Sequence, residues 1–241
     1  MRGKLLYTGV IVLCIISLGR WTGIISILIM DVSGSSKAND TLFDRLKWME
    51  EEITSWLSGQ NFFHVDYRMG DELFILSSRA HYTLFVAIYA KLLWDNHGFP
   101  LKCSFHTADI PAPEGDPEQW SHEAVKETRN ALETIKKSAV QDFISPDMDP
   151  PVEIALMYAT DILDHMTDIQ HQVASLKLGG MLQKDISSLL GKNESTISAH
   201  YSKSRGRQLE KILEFLSDHY QVDDTPLRSA FSRSFRKGLE S

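Results

Sequence analysis

The apolar positions along the chain fall into two rhythms. Up to residue 109, short β-branched or alternating runs are interleaved with stretches at helical spacing; beyond residue 150 only the helical spacing persists. The run 24–32, IISILIMDV, predicts a buried strand that ends in the Gly/Ser loop Asp31-Val32-Ser33-Gly34-Ser35-Ser36. Leu42, Leu46, Met49, Ile53 and Trp56 then recur at the spacing of an amphipathic helix, capped by Asn39 or Asp40. Residues 62–68 and 72–77 read as strands of a hairpin turning through Met69-Gly70-Asp71. Residues 80–94 predict an apolar helix and 101–109 an alternating strand. Pro/Gly/acidic residues 111–118 predict a loop, and Ala124, Val125, Thr128, Ala131, Leu132 and Ile135 another helix.

The resulting order, β-α-β-β-α-β-α, predicts an α+β fold whose first six elements form a split βαβ, ferredoxin-like unit over residues 23–142. The three prolines of 143–152 suggest a linker. An all-α domain is expected over 153–220, followed by a C-terminal tail, 221–241.

Residues 182–201, LQKDISSLLGKNESTISAHY, carry a denser pattern. Ile186 and Leu190 lie four apart on one helix, and Ile197 and Tyr201 four apart on the next. Small Ser187 lets the two helices approach. Gly191 supplies the left-handed turn between them, and Asn193 is a good N-cap. This is the layout of a helix-turn-helix, whose second helix presents its first residues to base edges. The reading edge would be Glu194, Ser195, Thr196, Ser198 and Ala199. Gln183 and Lys184 start the first helix where backbone contacts are usual, and Lys203, Arg205 and Arg207 suit phosphates. Lys192 departs from the pattern, since this turn position usually holds an apolar residue. The plainer alternative is two packed helices joined by a glycine turn. Leu209, Ile212, Leu213 and Leu216 mark a further helix, which packs on the motif or forms a dimer face.

Charge modifies this picture modestly. The 241 residues carry a net charge of −7, but from residue 171 onward there are 11 Lys/Arg against 8 Asp/Glu, and before it 14 against 24. An acidic body with a mildly basic end is compatible with double-stranded DNA bound through that end alone. The two cysteines, Cys14 and Cys103, have no metal-ligand spacing and exclude a disulfide framework, which makes a reduced, cytoplasmic setting the default. Residues 1–4 are basic and 5–19 uncharged and largely apolar, short of a bilayer span. This 1–22 extension reads as an upstream stretch from a misplaced start, a membrane anchor (association through residues 5–30), or an extra buried element.

In the first unit Asp31 ends the first strand, and Asp71 and Glu72 sit at the hairpin. The β-α-β-β order brings Asp31 and Asp71 to one sheet edge, beside the Gly/Ser loop. Paired carboxylates there suit Mg²⁺ or Mn²⁺ with a nucleotide. Two solvated aspartates capping loops are the bland alternative. His64, His106 and His122 show no ligand pairing, and Trp48, Trp56 and Trp94 fall within helices as core residues.

Asp31-Val32-Ser33-Gly34-Ser35-Ser36, Gly70-Asp71-Glu72-Leu73, Ala124 with Arg129-Asn130-Ala131-Leu132, the approach 166–170 and the motif 183–198 together resemble the SatD family of bacterial proteins. The first unit also resembles the palm of nucleotide cyclases and GGDEF proteins. That resemblance implies metal ligands at Asp31, Asp71 and Glu72, and a nucleotide contacted by Ser33, Gly34, Ser35 and Arg129. Three positions depart from it: Val125 where cyclases place an Asn, Tyr67 where they place a purine-selecting Lys, and Met69 where GGDEF has its first glycine. These changes leave ligand binding open and argue against efficient cyclisation.

The expectation is a DNA-binding regulator with a ligand- or nucleotide-sensing palm, acting as a monomer or a homodimer. The rival is a metal-dependent, cyclase-like enzyme with a DNA-binding tail.

Overall fold

The structure, a computed structural model, describes residues 23–35, 40–68, 70–94 and 99–240. The expectations for residues 1–22, Ser36, the Asn39 cap and Met69 lie outside the described residues.

The fold is α+β, built on a five-stranded mixed sheet of order β2-β3-β1-β4-β5. Strand β1 (Ile24–Val32) lies at its centre, antiparallel to β3 (Glu72–Ser77) on one side and β4 (Leu101–Asp109) on the other. Strand β2 (Phe63–Arg68) forms the hairpin with β3. Period-two alternation gives β1 two apolar faces. Leu28, Met30 and Val32 face α1 (Asp40–Leu57) and α2 (Tyr82–Leu93), while Ile25, Ile27 and Ile29 face α3 (Glu123–Ile135). Every residue of α2 is buried, as its continuous apolarity predicts.

Residues 143–152 are not a linker. They hold β5 (Phe143–Ile144), which pairs parallel with β4 and buries Phe143, then the first turn of α4 (Pro150–Asp164). Two of the prolines that suggested a linker open this helix, where their missing N–H groups cost nothing. Asp142, just before β5, is buried between the ammonium groups of Lys91 and Lys102. Its backbone N–H donates to Thr160 Oγ1 of α4 at 3.1 Å.

The remaining helices are α5 (Asp168–Leu178), α6 (Gln183–Leu190), α7 (Glu194–Lys203), α8 (Gly206–Tyr220) and α9 (Thr225–Glu240). The stretch 221–241 was expected to be a tail. Most of it is α9, which lays Leu227, Phe231 and Phe235 into the core against α1, α2 and α5. Tyr89 of α2 donates to Asp224 at 2.6 Å and Trp56 of α1 donates to Ser234 at 2.8 Å, so both ends of the contact carry a hydrogen bond. Gly179, at the end of α5, permits the approach: a Cβ there would stand 2.9 Å from Ser232 of α9. One continuous apolar cluster therefore runs from Leu28 and Ile75 on the sheet to Ile186, Ile197 and Leu209.

Candidate functional sites

Two regions gather the residues singled out from the sequence. The first is the sheet edge at the end of β1. Asp31 pairs across the ladder with Glu72, and Val32 N–H donates to the Asp71 carbonyl at 3.2 Å, so the three acidic residues do converge. Gly34, at φ 83, bends the loop that follows β1 into the left-handed region, and Ser35 returns its hydroxyl to the Asp71 carboxylate. Ser33 donates to the Lys136 carbonyl at 3.1 Å.

The charges at this edge are already partnered. Lys136, just beyond α3, places its ammonium 3.0 Å from Asp31 Oδ2 and 2.8 Å from Glu133. Arg129 of α3 donates to Glu72 Oε1 at 2.6 Å, and Arg68 approaches the same oxygen at 3.5 Å while bonding Asp66 at 3.2 Å. Burial pushes the Asp31 carboxyl above its usual range; Lys136 pulls it back, and the charge of Asp71 pushes it up again. Burial also raises the Tyr67 phenol, helped by Asp71 and Glu50, while its hydroxyl donates to the Gly70 carbonyl at 3.0 Å.

Among the described residues no group of three or more His, Cys, Asp or Glu side chains is arranged to hold a metal ion. A divalent cation here would meet an ammonium on Asp31, a hydroxyl on Asp71 and guanidinium groups on Glu72. As arranged, these residues do not fit a resident Mg²⁺ or Mn²⁺, which needs carboxylate oxygens free of competing cations. Sequence reasoning found the acids and Arg129 but missed Lys136 and Arg68, whose partners are set by packing rather than by motif.

The second region is the α6–α7 surface. Helix α6 ends at Gly191, whose φ of 61 is the left-handed C-cap expected there. Asn193 caps α7: its Oδ1 accepts from Thr196 N–H at 2.9 Å, and also from the hydroxyls of Ser195 at 2.8 Å and Thr196 at 2.6 Å. Gln183 reaches across from α6 and donates to the Glu194 carbonyl at 2.9 Å, bracing the start of α7. Ile186, Ile197 and Tyr201 are buried between the helices. Close packing of the Tyr201 ring requires Gly206 at the start of α8, where a Cβ would lie 2.1 Å from a ring carbon. Burial and the neighbouring Glu210 raise the Tyr201 phenol far above its usual range, so it stays neutral.

With these groups directed inward, Glu194, Ser195, Ser198, Ala199, Ser202 and Lys203 are left facing solvent. Lys184, Lys192 and Arg207 are exposed beside them, and Thr196 is half-buried. Arg205, expected to meet phosphate, is held instead by Asp161 of α4. It bonds Oδ2 at 2.8 Å and the carbonyl at 3.3 Å, at a backbone φ of 56. Two of the three isolated histidines are likewise explained locally: His122 Nδ1 accepts from Ala124 N–H to cap α3, and His106 lies 3.2 Å from Asp147.

No protein-family model matches the chain, and no curated protein matches it. No helix among the described residues is long and apolar enough to cross a membrane.

Proposed function

We propose that the protein is a DNA-binding regulator of the SatD type. In this reading α6, the Gly191 turn and α7 act as a helix-turn-helix with α5 as the supporting helix, and α7 enters the major groove. The observation that carries it is the division of labour on α7. Its cap, brace and apolar residues are all used to fix the helix on α6, and what remains outward is a row of small hydroxyl and methyl side chains. Such residues can lie close to base edges, and Lys184, Lys192, Lys203 and Arg207 around them can meet phosphates. A cytoplasmic setting belongs to the same reading.

The sheet unit acts as the sensor. Its strand order, with two helices on one face and α3 on the other, supports a ferredoxin-like, palm-type description. The edge formed by Asp31, Ser33, Ser35, Asp71, Glu72, Arg129 and Lys136 offers donors and acceptors of both signs to a small polar ligand. A nucleotide is the class that the palm resemblance favours. The cyclase alternative is weaker, because the cations held against Asp31 and Glu72 stand where catalytic metals would be needed.

The test is retardation of genomic DNA fragments by the full chain at low salt, where phosphate contacts contribute most. Binding is expected, and Ser195→Glu with Ser198→Glu should weaken it by roughly a hundredfold, as two carboxylates are pressed towards the phosphates. Both side chains are exposed, and loss of the Ser195 hydroxyl leaves the Thr196 N–H bond to Asn193 in place, so the helix should persist. Absence of any retarded fragment would remove the reading.

A further inference from the structure

We infer that helix α9 is a second DNA-contacting element, whose Arg233 and Arg236 hold the phosphate backbone beside the start of α6. The helix carries four cations, Arg228, Arg233, Arg236 and Lys237. Two are engaged within the fold: Arg228 bonds Tyr89 at 3.2 Å and Asp224 at 3.3 Å, and Lys237 bonds Glu52 of α1. The other two are exposed, and among the described residues neither guanidinium has a hydrogen-bond or ion-pair partner. Leu227, Phe231 and Phe235 fix the opposite side of α9 in the core, so the pair is displayed from a held helix rather than from a loose tail. Three positions apart, the two arginines are neighbours on its outer face.

Packing decides what the pair stands beside. Gly179 lets Ser232 approach the end of α5, and Arg236, one turn further along α9, borders the same hollow as Met181, Asp185 and Ser188. There the 179–182 turn enters α6, next to Gln183 and Lys184, where the first helix of a helix-turn-helix crosses the DNA backbone. Gln183 and Ser187 bond towards α7, whereas Asp185 and Ser188 face Arg236. The arginines therefore lie on the flank of α6 away from α7, and the phosphates they hold lie beyond those met from Lys184. Among the described residues lining the hollow Asp185 is the one acid, and it forms no ion pair with Arg236, so the guanidinium is open to an outside anion. A guanidinium presents a planar fork of donors that matches the oxygens of a phosphate. The inference rests on the DNA-binding reading and deepens it: α7 reads base edges while α9 grips a neighbouring stretch of backbone.

Affinity of the full chain for a retarded fragment, measured between about 50 and 200 mM salt, tests the inference. Arg233→Gln with Arg236→Gln should reduce the slope of log affinity against log salt by about 1.8, at about 0.9 for each phosphate contact. Affinity at about 0.1 M salt should fall at least about tenfold, by the same factor for every fragment, because phosphate contacts carry no sequence information. Far-ultraviolet circular dichroism should not change, since neither side chain bonds the fold. Lys126→Gln with Lys137→Gln removes the same charge from exposed positions on and just after α3, across the sheet from α9, and should leave the slope as it is. A slope that the arginine substitutions leave unchanged, on a fragment that Ser195→Glu with Ser198→Glu releases, overturns the inference and keeps the DNA-binding reading. A slope that the lysine substitutions reduce equally also overturns it, because net charge rather than contact would then set it. Failure of the native chain to retard any fragment removes both.

Discussion

The sheet edge and the α6–α7 surface differ in how their polar groups are used. The edge is rich in chemistry, with three carboxylates, two arginines, a lysine and two serines, yet nearly every charge is matched by another within the site. The α7 surface is poor in chemistry, with serines, an alanine and one glutamate. Its capping groups, the Ser195 hydroxyl among them, are partnered at Asn193, and Ser198, Ala199 and Ser202 beyond them are exposed. The comparison teaches that reactive residue types do not by themselves locate a function. A cluster whose members neutralise one another responds to a ligand by exchanging partners, which suits sensing. A capped helix with an exposed row of small side chains suits docking.

Four substitutions sharpen or break this contrast. The largest effect is expected from Gly206→Ala. The added Cβ would collide with the buried Tyr201 ring, and overpacking of this kind costs about 1–3 kcal/mol. Thermal denaturation should report the loss, and DNA retention should fall with it because Tyr201 seats α7. Unchanged stability would show that α7 is loosely held. Asn193→Ala comes next, at about 1 kcal/mol, the usual cost of losing a cap. Urea midpoints measure it, and an equal cost from Asn130→Ala, on the exposed side of α3, would remove any special role for the cap.

Arg129→Ala should cost less, under about 1 kcal/mol, because the guanidinium is 42% exposed and its pair with Glu72 is screened by water. It should leave DNA affinity of the ligand-free protein unchanged; a large loss there would mean that the edge, not α7, touches DNA. The smallest effect concerns the start of α2, away from both regions, where His81 stacks on Tyr220 of α8 at 4.3 Å. Burial lowers the His81 pKa from 6.5, against the opposing pull of Asp147. As pH falls below 6.5 the unfolded chain takes up a proton that the folded one resists, so stability declines from there down to the folded pKa. His81→Asn, which tolerates the left-handed φ of 55, should flatten that slope in melts between pH 7 and 5. An unaltered slope would assign it to other groups.

Local signals were legible in the sequence, and long-range ones were not. The bounds of β1 and β4, the hairpin, the 183–190 helix, the Gly191 turn and the Asn193 cap all follow from periodicity and capping chemistry. Strand β5 was hidden because two residues carry no period, and its three nearby prolines argued for a linker. The partnership of Lys91 with Asp142 was hidden because 51 positions separate them and only folding brings them together. Helix α9 was there to be found: Leu227, Phe231 and Phe235 recur every four residues after Thr225-Pro226, a proline-started helix with one apolar face. At the edge, the acids were visible as motifs, whereas Lys136 and Arg68, which neutralise them, belong to no motif. Arg205 read as a phosphate contact because its partner, Asp161, lies on a distant helix.

The central claim is that α7, and not the sheet edge, meets DNA. Photocrosslinking tests it most directly, with p-benzoylphenylalanine placed at position 199 in one variant and at position 129 in another, each mixed with a retarded fragment. The expected result is a covalent protein–DNA adduct from position 199 and none from position 129. An adduct from position 129, or from neither while the fragment is still bound, would contradict the account.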